Sequence, residues 1–97
     1  MTTNSIIPIS EFCSHYNIPD SFIESLCDID IIDIVMQENI KHIRAEQINI
    51  IEKMIRLHYQ LDINIEGLDV INNLLEQINQ LQYEIIELHN KLDFYKD

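Results

Sequence analysis

The sequence predicts a mainly α-helical chain: a small head with a short β-hairpin over residues 1–62, and one long coiled-coil helix over 63–97. Three observations predict it. Apolar residues recur at alternating steps of three and four through the last third of the chain, the spacing of a helical seam. Among 97 residues, Gly appears once, Pro twice and Trp never. That scarcity argues against sandwiches, barrels and Gly-loop nucleotide folds, which need Gly at turns and close approaches. Hydrophobic residues make up 46% of the chain, enough for the core of one small domain with an appendage.

Charge narrows the function. Seventeen acidic residues against six basic ones give a net charge of -11. Such a chain is a poor non-specific nucleic-acid binder, because that affinity comes from neutralising phosphates with Lys and Arg. The asymmetry is sharper locally. No Lys or Arg occurs before Lys41, whereas Glu11, Asp20, Glu24, Asp28, Asp30, Asp33 and Glu38 all do. Two cysteines make no disulfide framework. Neither a signal-peptide apolar region nor a run of 18 apolar residues is present, so the expectation is a cytoplasmic protein with reduced thiols and no membrane span.

The elements follow in order. Ile6-Ile7-Pro8-Ile9 reads as an extended lead-in, since Pro8 disfavours helix at its predecessor. Ser10 is the expected N-cap of a helix from Glu11 to Tyr16, with Phe12, Cys13 and Tyr16 facing inward. Asn17 suits the left-handed residue that ends such a helix. Pro19 opens a second helix through Cys27. Phe22, Ile23 and Leu26 point inward from it, and Asp20, Glu24 and Asp28, four apart, line its outer side. Two short helices joined by a tight turn form a helix-turn-helix. Ile31 to Val35 and Ile40 to Ile43 then read as two strands around a turn at Gln37-Glu38-Asn39. A hairpin there is the wing of a winged helix-turn-helix. A third helix is expected from Arg44 to about Leu61, with Ile48, Ile51 and Ile55 on one stripe and Ile50, Met54, Leu57 and Leu61 on another.

The last helix has Asn64 as its expected N-cap and Gly67 in its first turns. With Ile71 as position a, the seam runs Ile71, Leu74, Ile78, Leu81, Ile85, Leu88, Leu92 and Tyr95, more than three heptads. At 1.5 Å per residue the helix from Ile65 to Tyr95 is roughly 45 Å long. A head this small cannot cover such a rod. The expectation is a homodimer; the alternative is a helix folded back on its own head.

This order of elements resembles the MerR-type regulators. More closely it is similar to the chaperone-modulator family (CbpM), compact MerR-like relatives that restrain a J-domain co-chaperone, the curved-DNA-binding protein. Ile9-Ser10-Glu11-Phe12-Cys13 in the first helix and Ile18 at the turn carry the resemblance. So do Arg56-Leu57, Leu61, Asn64, Gly67-Leu68, Leu74, Ile78 and Leu81, and it spans about residues 6 to 92. The family usually has Gly where Asn17 and Asp30 stand, but Asn and Asp are the next most tolerant of positive φ. Pro19 stands where the family usually has a Ser cap.

The resemblance implies two activities, and the outer surface weighs between them. A MerR-type transcription factor reads the major groove with its second helix, where Arg, Lys, Asn or Gln are needed. Here that helix offers Asp20, Glu24 and Asp28, with only Ser21 and Ser25 beside them. Lys41, His42 and Arg44 on the return strand make a small phosphate footprint, so nucleic acid is not the expected partner. The chaperone-modulator resemblance implies a J-domain partner. J-domains use a basic helix to dock on an acidic surface of a heat-shock chaperone, and Asp20, Glu24, Asp28, Asp30 and Asp33 imitate such a surface. Occupying the J-domain would inhibit the co-chaperone, and the family is also understood to suppress its DNA binding. The runner-up is a MerR-like dimeric transcriptional regulator.

Other chemistry is thinly supported. Cys13, His15 and Cys27 lack a second close ligand pair, and His42, His58 and His89 lie on separate elements, so no metal or other cofactor is expected. Ile18-Pro19-Asp20 resembles the J-domain signature, but Ile18 replaces its His. No nucleophile–base pair or phosphate loop appears, and the chain reads as a binding protein, not an enzyme.

Overall fold

The computed structural model describes residues 5–95, so the outermost residues of both spans, 1–4 and 96–97, lie outside the described residues. The head begins with β1 (Ile6–Pro8), followed by α1 (Ile9–Tyr16) and α2 (Asp20–Asp28). The wing strands are β2 (Ile34–Gln37) and β3 (Ile40–Arg44). A 3-10 turn (Ala45–Gln47) leads into α3 (Ile48–Ile55), a π-helical turn (Arg56–Gln60) and the long α4 (Ile65–Phe94).

Two helix ends rest on the same device. Asn17 has φ 60° and Asp30 φ 64°. After α1, the N–H groups of Asn17 and Ile18 donate to the carbonyls of Ser14 (3.3 Å) and Cys13 (3.0 Å). After α2, those of Asp30 and Ile31 donate to Cys27 and Leu26, both at 3.0 Å. Both are Schellman ends, in which one left-handed residue lets two N–H groups satisfy the last carbonyls. The non-glycine residues at 17 and 30 therefore serve the turns that glycine would.

The start of α1 differs from the expectation. It begins at Ile9, directly after Pro8, and Ser10 lies inside the helix with no side-chain capping bond. Ile9 is a core residue, and burying it requires that its helical turn be formed. The lead-in is also more than extended chain: β1 pairs antiparallel with β3, Ile7 opposite Ile43, giving a three-stranded sheet of order β1-β3-β2. Proline suits this place because an edge strand has N–H groups that need no ladder partner.

The wing forms as the sequence suggests, tighter by one residue. Glu38 and Asn39 take φ 53° and 64°, the pair of left-handed residues that a two-residue type I′ hairpin requires. Ile31 and Ile32 stay out of the strand, and Ile32 is buried in the core instead.

The third helix is not one continuous rod from Arg44 to Leu61. Arg44 is held extended by its place in β3 opposite Ile6, so the helix cannot begin there. At the other end the π-helical turn winds wider than an α-helix. It carries Leu61 off the inward stripe, and Leu61 is exposed. Beyond it, Asp62 has φ 58°, and the carbonyl of Ile63 accepts a 2.7 Å bond from Nδ1 of His58.

The core contains Phe12 and Cys13 of α1, Phe22, Ile23 and Leu26 of α2, Ile43 of the sheet and Ile51 and Met54 of α3. Of α4, Leu68 is fully buried in it and Ile65 packs against it half-buried. The rest of the long helix projects past the head.

Candidate functional site

The outer side of α2 is where sequence and structure agree on a candidate surface. Phe22, Ile23 and Leu26 are buried, and Asp20, Ser21, Glu24 and Asp28 are exposed on the opposite side. Asp30 and Asp33, in the connection to the wing, are exposed as well. All five sequence-predicted carboxylates therefore face solvent. Three share one helix, and two follow where its C-terminal turn reverses the chain.

The basic residues nearest this surface are less free than their sequence positions suggest. Lys41 of β3 reaches across to α2, with its Nζ 3.3 Å from Oε2 of Glu24. Both side chains are half exposed, so the ion pair adds little to fold stability. Nδ1 of His42 bonds to the carbonyl of Ile40 at 2.8 Å, and Arg44 is half-buried. A winged DNA reader needs free cations on the wing and donors on the second helix. This wing instead exposes Met36 and Ile40, which sequence reasoning did not single out. Each strand is short, and alternation alone does not say which end outruns the core.

The second candidate surface is the seam of α4. Ile71 is half-buried near the head, whereas Leu74, Ile78, Leu81, Ile85, Leu88 and Leu92 are exposed, Leu92 at 68%. Among the described residues no part of the head folds over them, so the described head and helix do not adopt the alternative of a helix packed back along its own head. Tyr83, Ile86 and Phe94 are exposed outside the seam.

The remaining reactive groups are tied into structure. Cys13 is buried, and burial, assisted by the neighbouring Asp20 carboxylate, pushes its thiol up to about 12. Tyr16 donates a hydrogen bond to Glu52 across the α1–α3 junction, which raises its phenol above the usual value. The Tyr59 phenol is also raised, first by burial and then by Cys13. Among the described residues, no group of three or more His, Cys, Asp or Glu side chains is placed to hold a metal ion. Nor is any described helix long and apolar enough to cross a membrane.

The family model described as "MerR HTH family regulatory protein" matches residues 7–90. The chain belongs to the MerR HTH family. The match runs from β1 through most of α4, so head and long helix together make up the MerR-type unit. No curated protein and no solved structure matches the chain. Within this MerR-type head the second helix, which lies in the major groove in DNA-reading helix-turn-helix proteins, is the helix that carries Asp20, Glu24 and Asp28.

Proposed function

We propose that this MerR-type protein is a chaperone modulator. It binds the J-domain of a DnaJ-like co-chaperone through the acidic outer face of α2 and the connection after it, and inhibits the co-chaperone by occupying it. The observation that carries the reading is the absence of any basic side chain on α2 while Asp20, Glu24 and Asp28 are all exposed there. That surface repels phosphate and attracts a basic helix. Complementary charge raises the encounter rate and fixes orientation, and apolar contacts lengthen the complex's lifetime. The sequence resemblance to chaperone modulators supplies the partner's identity.

The functional unit in this reading is a homodimer. Six uncovered Leu and Ile side chains on α4 form a stripe too regular and too long for a solvated helix. Pairing two copies along it buries that stripe and leaves both heads free.

A second reading, a dimeric MerR-like transcriptional regulator, is favoured by the family match itself, since the family is described as regulatory. One experiment separates the two. At about 150 mM salt, where surface charges are screened beyond roughly 8 Å, the protein is titrated against duplex DNA by anisotropy and against a purified J-domain by calorimetry. The chaperone reading predicts J-domain binding and no DNA binding better than millimolar. Micromolar, sequence-selective DNA binding without J-domain binding would establish the regulator instead.

A further inference from the structure

We propose that the open edge of the wing strand β2 takes a further strand from a partner protein. That strand is an extended segment with apolar residues at alternate positions and Lys or Arg at both ends. The surface is not the helix face of the chaperone reading, and the proposal does not depend on that reading.

The sheet order β1-β3-β2 leaves β2 with a neighbour on one side only. The register fixes where its backbone groups point. The turn at Glu38 and Asn39 closes on the pair Gln37 and Ile40, and the pair closing a two-residue turn exchanges both backbone bonds. Bonded pairs alternate along an antiparallel ladder. Val35 and Gln37 therefore bond to β3, while the N–H and C=O groups of Ile34 and Met36 point away from it. The other side of β3 agrees. The N–H of Ala45, just past β3, donates to the Ser5 carbonyl at 2.9 Å, so odd-numbered residues there face β1 and even-numbered ones face β2. Asp33 has the parity of Val35 and is turned inward as well. With its amide nitrogen toward the Asp33 carbonyl, the Gln47 side chain bonds both backbone groups of Asp33 at 3.2 Å. Among the described residues, no backbone bond from outside the sheet reaches Ile34 or Met36.

The side chains suit an added strand. Ile34 and Met36 lie on the face of Ile43, and Met36, beyond the core, is 57% exposed. Apolar residues set opposite these two would cover that face by cross-strand contact. Neither Lys nor Pro stands on β2, and its register with β3 is free of bulges, so those edge-blunting devices are missing. Its ends are acidic, with Asp33 and Glu38 both exposed.

Those carboxylates select the occupant. Self-pairing with Val35 opposite Val35 of a second copy sets Ile34 opposite Met36, but brings Asp33 of each chain beside Glu38 of the other. Like charges across a sheet destabilise it, and each chain carries a net charge of -11. A segment ending in Lys or Arg meets attraction at the same two places. This is recognition by strand addition, with charge setting the ends.

The test is fluorescence anisotropy of the full chain with a labelled synthetic peptide, alternating Val and Thr between two Lys-Arg pairs. Two control peptides carry the same charge. One has a Gly-Ser centre, and the other has N-methyl groups on its Val residues, which removes the N–H donors an edge needs. Both controls are expected to bind at least about tenfold weaker, through lost backbone bonds and lost apolar contact. Met36→Pro deletes an outward N–H while sparing the bonds to β3, as edge positions allow. It is expected to bind about tenfold weaker, with Met36→Thr within about threefold of wild type. Thermal unfolding checks that the proline variant is folded. Equal binding of either control peptide, undiminished binding by folded Met36→Pro, or no binding of the Val-Thr peptide overturns the proposal. A second copy at the edge would overturn it too: Leu81→Asp with Leu88→Asp would then remain a dimer, and adding Met36→Pro would make it a monomer.

Discussion

Oδ1 of Asn64 accepts the backbone N–H of Gly67 at 2.7 Å, and this one bond sets where the head stops and the long helix starts. The same turn has no room for a side chain at Gly67. A Cβ there would stand 2.7 Å from Cγ2 of Ile63 and 3.1 Å from the capping oxygen itself. The sole glycine of the chain is thus required for close approach.

Two substitutions follow from that turn. Asn64→Ala should cost about 1 kcal/mol of stability through loss of the cap. Gly67→Ala should destabilise by about 1 kcal/mol or more, although alanine is the better helix former by a similar amount. The clashing methyl of Ile63 is bonded directly to its Cβ, so only a χ1 rotation of a β-branched side chain, which is stiff, would move it aside. Denaturant unfolding of both variants is the check, and a stabilised Gly67→Ala would show that the turn relaxes freely.

The seam of α4 makes a prediction about assembly. Leu81 and Leu88 are 57% and 60% exposed in the single chain. Burying such a side chain fully is worth roughly 1.5–3 kcal/mol, so in the proposed dimer the pair would supply much of what holds two copies together. Leu81→Asp with Leu88→Asp should give a monomer by light scattering. Because neither leucine touches the core, circular dichroism should still report a folded head. A double mutant that remains a dimer would mean that another surface joins the copies.

Thiol chemistry should divide the two cysteines. Burial and the Asp20 carboxylate hold the Cys13 thiol neutral, pushed up to about 12 from 9.0. The thiolate is the reactive form, so at pH 8 a thiol reagent should label half-buried Cys27 first and Cys13 only on unfolding. The unfolded chain releases the Cys13 proton near pH 9 and the folded one near 12, so this contribution to stability is complete below 9 and lost as pH rises toward 12. Tyr16, raised by its bond to Glu52, acts in the same direction from pH 10 upward. Alkaline unfolding followed with Cys13→Ala and Tyr16→Phe should show a weaker pH dependence in each.

The features legible in the sequence were those set by local spacing. Phe22, Ile23 and Leu26 inward with Asp20, Glu24 and Asp28 outward follow from helical periodicity alone. Asn17, Asn39 and Asn64 lie where their own backbone preferences place them. What could not be read depended on residues far apart in sequence. The strand at Ile6–Pro8 exists because β3 lies beside it, and nothing near Ile6 announces that partner. Ile9 reads as part of the lead-in because the core it joins is built from later segments. The π-helical turn at Arg56–Gln60 breaks an apolar stripe that continues in the sequence to Leu61. At the candidate site the carboxylates were legible, but the reach of Lys41 to Glu24 and the exposure of Met36 and Ile40 needed the fold.

The central claim is that the outer face of α2 engages a basic helix of a J-domain, and charge reversal tests it most directly. Both Asp20 and Glu24 are exposed, so Asp20→Lys with Glu24→Lys should leave the fold and its thermal stability nearly unchanged. Deleting a single exposed charge typically costs under about 1 kcal/mol, but placing like charges opposite each other across an interface costs several. Calorimetry against the isolated J-domain should therefore show at least about a tenfold loss of affinity, with the difference from wild type narrowing as salt rises. Undiminished binding by the double reversal would contradict the account.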